Sequence, residues 1–393
     1  MVNYEQTRKT HLIILFLYLV LFPFGQLTRL EIVLAGTRVP FYPTDFLVLF
    51  SAVLFLVSRK KVFYLKTSIS SFLAVCVFSL LFSLTIFKVS SLSVGILYFI
   101  RLSSYLIFFA NIWNLVKNDV YLKKLIFNSL IIVGVFVAVF GWVQYFLFPD
   151  LTGLKILGWD DHYFRITSTF LDPAFTGIIL VFTFLLTLGS FNKKNKIGNI
   201  LLCVFLLITI AFTYSRSSYI ALFGGSLYLL FSTSRRKAAL LLIAGLLAIL
   251  PLLPRPGGEG VRLERLNSVF QKVVDYKESA VLIDKSPVFG LGFNNICAAK
   301  IKFLGEVNIN SHSCSGLDNS FLFVIATTGM VGLIIFFKLI YDFIATTEKS
   351  MYGKVFLATG VALLIHTMFT NTLFYPWVLG WIAILAGVSR VKE

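Results

Sequence analysis

The chain has 393 residues, of which 58% are hydrophobic and only 13% charged, where a soluble domain carries about a quarter charged residues. That balance excludes a water-solvated globular enzyme and leaves lipid as the main solvent. A net charge of +17 would point to nucleic acid in a soluble protein, but the basic residues are distributed as a topology signal and imply no nucleic-acid partner.

The polar start, Met1 to Thr10, places Arg8 and Lys9 ahead of an apolar run from Leu12. No small-residue cleavage site follows, so this run reads as a retained first helix. Crossing a hydrocarbon core takes about 20 apolar residues. Runs of that kind lie near 11–26, 44–58, 68–87, 91–116, 124–148, 173–190, 197–214, 217–231, 238–253, 319–345, 355–374 and 375–389. The sequence predicts an all-α, polytopic integral membrane protein of about twelve transmembrane helices, with 1–393 as one transmembrane domain. With the N-terminus inside, every inside connection is basic, and together they hold more than half of the 35 Lys and Arg, including Arg59 to Lys61, Lys193 to Lys196 and Arg235 to Lys237. Both termini are therefore expected in the cytoplasm, in the plasma (inner) membrane, with the chemistry on the extracytoplasmic side.

Two outside connections stand apart: 149–172, and a large extracytoplasmic loop at 254–318 between helices 9 and 10. A connection of the second length is usually functional. Within it Leu266, Phe270, Val273, Val274 and Val281 recur at helical spacing, so an amphipathic helix is expected on the membrane or over the bundle. Cys297 and Cys314 share this loop and could pair in an oxidising exterior, whereas Cys76 and Cys203 sit in apolar runs.

Three outward arginines fall where an apolar helix ends: Arg165 before ITSTFLDPAF, Arg216 in TYSRSSYIALFGG, and Arg265 opening the loop helix. A guanidinium stays charged and presents a planar fork of donors suited to phosphate or diphosphate. The plain alternative is an interfacial Arg reaching for headgroups, but Arg216 lies among Ser215, Ser217 and Ser218, a hydroxyl cluster that an anchor does not need. Arg101, near the middle of FIRLSSYLIFF, is either functional or paired with a buried acid. His366 in LLIHTMFTN reads more simply as a polar contact between helices. Gly290 and Gly292 in SPVFGLGFNN permit positive φ and close backbone approach. His312, Asp318, Asn319 and Ser320 crowd the start of the tenth helix, where Asp or Asn is a natural N-cap and His or a partly buried carboxylate a natural base. His162 and His312 lack metal-ligand spacing, and neither a P-loop nor a dinucleotide fingerprint is present, so no metal and no cofactor are expected.

In their order these segments resemble the O-antigen ligase and polymerase family of bacterial membrane glycosyltransferases. Arg165 precedes TSTFLDP; Ser215-Arg216 lies at a helix junction; the large loop runs through an Arg-led helix to Pro287, Gly290 and Gly292; then comes Asp318-Asn319, followed by Gly329-Met-Val-Gly332. The likeness covers 150–345 and elsewhere only the hydropathy. It implies transfer or polymerisation of a glycan from an undecaprenyl-diphosphate carrier, a lipid-linked oligosaccharide donor, to a glycan, lipid or protein acceptor among the membrane lipids. Arg165, Arg216 and Arg265 would engage the diphosphate, and Asp318 or His312 would act as base, with Asn319, Gly290, Gly292 and Arg101 in support. Ligases of this family usually open the last motif with His, where this chain has Asp318, so ligase and polymerase both stand. The rival from another class is a secondary transporter or flippase of the same helix count. It is disfavoured because the polar features gather in outward connections and not at the bilayer midplane.

Overall fold

The structure, a computed structural model, describes residues 4–34, 37–58, 65–190, 196–233, 244–245, 248–305, 314 and 316–390. The described helices are α1 (Tyr4–Leu21), α2 (Pro43–Val57), α3 (Lys66–Phe82), α4 (Val89–Val116), α5 (Val120–Leu147), α6 (Pro173–Gly189) and α7 (Lys196–Ala211). They continue as α8 (Arg216–Ser232), α9 (Asn267–Lys285), α10 (Ile296–Leu304), α11 (Ser320–Ala345), α12 (Met351–His366) and α13 (Pro376–Val388). Among the described residues Gln6–Thr28, Lys66–Thr85, Leu92–Val116, Val120–Leu147 and Ser320–Ala345 are long and apolar enough to cross a membrane. Helices α2, α6, α7, α12 and α13 are apolar but shorter. The chain is a helical, multi-pass membrane protein. Most of the expected span at 238–253, and His312 with it, lies outside the described residues.

The architecture departs from an all-α chain in the first connection. There β1 (Leu30–Leu34) and β2 (Thr37–Phe41) form an antiparallel hairpin with Ile32 opposite Val39 and Val33 opposite Arg38. Branched side chains in LEIVL and TRVPF suit a pleated surface, and Pro40 is tolerable because a two-stranded ribbon is all edge.

Helix α6 is the centre of the bundle. It is apolar on every side and buried almost from end to end, with α5, α7, α8 and α12 packed around it. Its N-terminus is capped by Asp172, whose carboxylate accepts from the amides of Ala174 and Phe175. Close approach depends on small residues: Gly177 faces Ser218 of α8, Gly134 of α5 faces Thr183, and Gly225 of α8 faces Ala358 and Ala362 of α12.

Helix α11 is broken at Gly329, whose φ of 69° is left-handed. The carbonyls of Ala326 and Thr327, freed by the break, accept from the amides of Leu291 and Gly292 at 2.9 and 3.0 Å, and the Met330 amide donates to Pro287. The Pro-x-x-Gly-x-Gly run is thus laid as backbone against the opened turn, which keeps buried peptide groups satisfied. Gly290 and Gly292 also stand at positive φ, and a Cβ on Gly290 would lie 2.4 Å from the Thr327 backbone. Helix α9 buries Ser279 and Leu282, while Phe270, Val273, Val274 and Val281 are exposed. Its apolar stripe therefore faces away from the bundle, the arrangement of a helix at a lipid interface. Cys297 and Cys314 form a disulfide that ties the start of α10 to the approach to α11.

Gly329→Ala is expected to destabilise the protein by about 1–3 kcal/mol, because an L side chain is strained at that φ and its Cβ would lie 2.1 Å from the Val288 oxygen. Thermal unfolding in detergent checks this; an unchanged midpoint would remove the backbone seam as a stabilising feature.

Candidate functional site

The turn between α7 and α8 organises the site. Tyr214 is held at φ 51°, an uncommon conformation for an aromatic residue, and its carbonyl points at two guanidiniums. Arg165 donates to it from Nη2 at 3.2 Å and Arg265 from Nη2 at 3.3 Å. Arg165 also donates from Nε to the Thr213 carbonyl at 3.0 Å. The third arginine, Arg216, begins α8 and donates to the carbonyls of Leu263 and Arg265 and to Ser268 Oγ at 2.6 Å. The structure thus brings together the three arginines singled out in the sequence, from three separate segments.

Among the described residues none of the three is ion-paired. Their acceptors are neutral, so the cluster keeps its charge. Burial, then the neighbouring Arg265, pushes Arg165 down to about 10, and burial followed by Arg216 lowers Arg265. Mutual repulsion of neighbouring cations lowers their affinity for protons and is relieved by a bound anion.

The segment carrying Arg165 is unusually strained. Phe164, Ser168 and Leu171 all have positive φ, and such outliers persist only where surroundings over-determine them. The clamp is Gln144 of α5, buried, whose Oε1 accepts from the amides of Thr167 and Ser168 and whose Nε2 donates to the Arg165 carbonyl at 3.3 Å. From the other side Gly260 lies against the Arg165 side chain, where a Cβ would come within 3.0 Å of Cδ.

Asp318 stands at the approach to α11. Its carboxylate accepts from Lys272 Nζ of α9 at 3.0 Å, and its amide donates to Asp275 at 2.8 Å. Lys272 also donates to the Phe369 carbonyl. Asn319 is the helix N-cap, accepting from the amides of Phe321 and Leu322. Asp160 joins the two halves electrostatically. Burial, then Asp318 and Asp161, raises its carboxyl above the usual range, while Arg165 and Lys272 act in the opposite sense. His162 is neutral, pushed down to about 3 by burial and by Arg165.

Arg101 lies in a different setting. It donates to Asp45 at 2.7 Å and to the Pro40 carbonyl, with Tyr105 also donating to Asp45, so it pins the hairpin and α2 to α4. Gly290 and Gly292 shape the backbone against α11 and bring no side chain. Sequence reasoning passed over Gln144 and Lys272. A lone amide in the apolar run GVFVAVFGWVQYFL was the available signal for the first; Lys272 looked like any lysine on the polar face of an amphipathic helix.

The fold and the site define a membrane protein with a cluster of three arginines, one of them buried, and a lysine-paired carboxylate at the approach to α11. Residues 201–337 match the family model described as O-antigen ligase, and this domain supports an O-antigen ligase or polymerase assignment. The matched stretch holds Arg216, Arg265, Lys272 and Asp318. No curated protein matches the chain. The assignment supports a glycosyltransferase-type enzyme of polysaccharide biosynthesis.

Gln144→Leu leaves two buried amides without an acceptor, each worth about 1–3 kcal/mol. Faster hydrogen exchange over 165–168 and a lower unfolding temperature are expected; unchanged exchange there would show that the strained segment holds itself.

Proposed function

We propose that the chain transfers or polymerises a glycan from an undecaprenyl-diphosphate carrier on the extracytoplasmic face of the plasma membrane. In this reading about twelve crossings leave both termini in the cytoplasm, 150–345 forms the working core, and 254–318 is the loop that covers the site. The observation that carries it is the convergence of Arg165, Arg216 and Arg265 at one turn, where their hydrogen bonds among the described residues go to carbonyls and a hydroxyl and form no ion pair.

When the glycosidic bond to the carrier breaks, the diphosphate gains negative charge. Cations fixed beforehand by backbone carbonyls stabilise that charge without reorganising, which is the most effective form of electrostatic catalysis. In this reading Asp318, steadied by Lys272, engages the acceptor hydroxyl, and His312, the other candidate base, lies outside the described residues. The lipid carrier accounts for a site between helices: its isoprenoid tail stays in the hydrocarbon while the diphosphate meets the arginines.

Arg216→Ala and Asp318→Asn should each lower glycan transfer by about 10²–10³-fold while the protein still inserts in the membrane, measured as polymer or conjugate formed in cells lacking the parent chain. Parental rates for both variants would refute the site. Uptake of a labelled solute into proteoliposomes with no consumption of lipid-linked glycan would replace the transferase by a transporter.

A further inference from the structure

His366 closes α12 with its ring wholly inside the protein, between two sets of hydroxyls. Nδ1 lies 2.7 Å from Thr372 Oγ1, and Nε2 lies 3.1 Å from Ser217 Oγ and 3.4 Å from Ser218 Oγ. The Thr372 hydroxyl donates to the Thr370 carbonyl at 3.2 Å, so its oxygen accepts from the ring. That direction places the imidazole proton on Nδ1 and leaves the Nε2 lone pair aimed at the hydroxyls of α8.

Of these groups Thr372, His366 and Ser218 are sealed from solvent, whereas Ser217 is half-buried and directly follows Arg216. The string therefore runs from the closed interior to one accessible hydroxyl on the rim of the cationic cluster. The residue after His366, Thr367, bonds Ser320, which ties this end of α12 to the start of α11. A simple tie between α8 and α12 is met by the buried Ser218 alone. It leaves unexplained why Ser217, the more exposed of the two hydroxyls, is the closer partner of Nε2.

We propose that Ser217 and His366 form a hydroxyl relay that removes the proton of the acceptor, a deepening that rests on the transfer reaction proposed above. The acceptor oxygen bonds to the anomeric carbon as the bond from that carbon to the diphosphate oxygen breaks, the electron pair leaving with the diphosphate. The acceptor proton passes to Ser217 Oγ while the proton of Ser217 passes to Nε2. The ring then carries N–H on both nitrogens, with Thr372 Oγ1 accepting from Nδ1 and Ser217 Oγ from Nε2. The proton returns through Ser217 to the diphosphate, which has gained charge, and the chain is restored. Asp318, occupied by Lys272, orients the acceptor and is spared from acting as base. Ser217 is the catalytic contact and His366 a positioning and proton-holding residue behind it.

The test uses the full chain in proteoliposomes with lipid-linked glycan extracted from its native membranes. Ser217→Ala should lower kcat by about 100-fold or more, the usual worth of a proton acceptor, with KM for the donor little changed. Ser217→Thr, which keeps the hydroxyl, should recover most of the turnover. His366→Gln should match Ser217→Ala, and the double variant should be no slower than either single one, because members of one relay fail together. Parental kcat in Ser217→Ala, or losses that multiply in the double variant, would overturn the relay. Ser217→Ala is decisive on its own if His366→Gln does not fold. Arg216→Ala in the same assay separates the two ideas: its inactivity beside a fully active Ser217→Ala removes only the relay, while its full activity removes the diphosphate site itself.

Discussion

Two guanidiniums share one carbonyl oxygen, that of Tyr214, and the geometry of the site depends on this contact. Like charges do not gather unaided, so the backbone must hold them. Tyr214 does so in a left-handed turn, and its hydroxyl, 2.5 Å from the Pro254 carbonyl, fastens the beginning of the large loop to the same point. Arg216, two residues on, reaches back to the Arg265 carbonyl and closes the ring of contacts from the loop side. One short junction between α7 and α8 thereby sets the position of a segment before it and of a loop after it. Arg216 and the strained turn therefore act as a scaffold as well as a charge.

The second constraint is the solvent. In lipid an unpaired peptide group costs several kcal/mol, yet α11 is opened at Gly329. The opening is tolerable because Pro287 to Gly292 supplies donors and acceptors to it, as a strand would. The same seam carries the chain from α9 to α10. Lys272 and Asp275 on α9 are brought against the start of α11, where Asp318 waits. The disulfide from Cys297 closes the remaining connection. The Gly-x-x-Gly of the last motif thus has a structural task, and the polar residues before it inherit their placement from that task.

Much of this was legible in the sequence. Apolar runs marked the helices, and the three arginines and Asp318 stood out because a charge beside an apolar helix needs a reason. What could not be read was pairing. Arg101 was open between a function and a buried acid partner, and only the fold identifies that partner as Asp45 on α2, with the Pro40 carbonyl beside it. The hairpin was missed because LEIVL and TRVPF are short and were absorbed into a connection between two far stronger hydrophobic signals. Gln144 and His366 are contacts between segments distant in sequence, 21 residues apart for Gln144 with Arg165 and 149 for Ser217 with His366, and no local pattern encodes such partners.

The contrast between Arg101 and the three clustered arginines sharpens the electrostatic reasoning. A buried guanidinium facing a carboxylate is neutral as a unit; its field is spent at the pair, and its use is to hold elements together. A buried guanidinium facing carbonyls has its N–H groups satisfied but its charge uncompensated, because a dipole orients a cation without cancelling it. Arg101 with Asp45 is the first kind; Arg165 is the second, with the half-buried Arg216 and Arg265 beside it also bonded to carbonyls. Folding has to bear the cost of the second kind, visible as the depression of Arg165 and Arg265 by burial and by their own neighbours. In the proposed reaction that cost is offset when the diphosphate binds, and most fully as its charge grows. The choice of carbonyl over carboxylate as partner is what separates a site from a strut in this membrane protein.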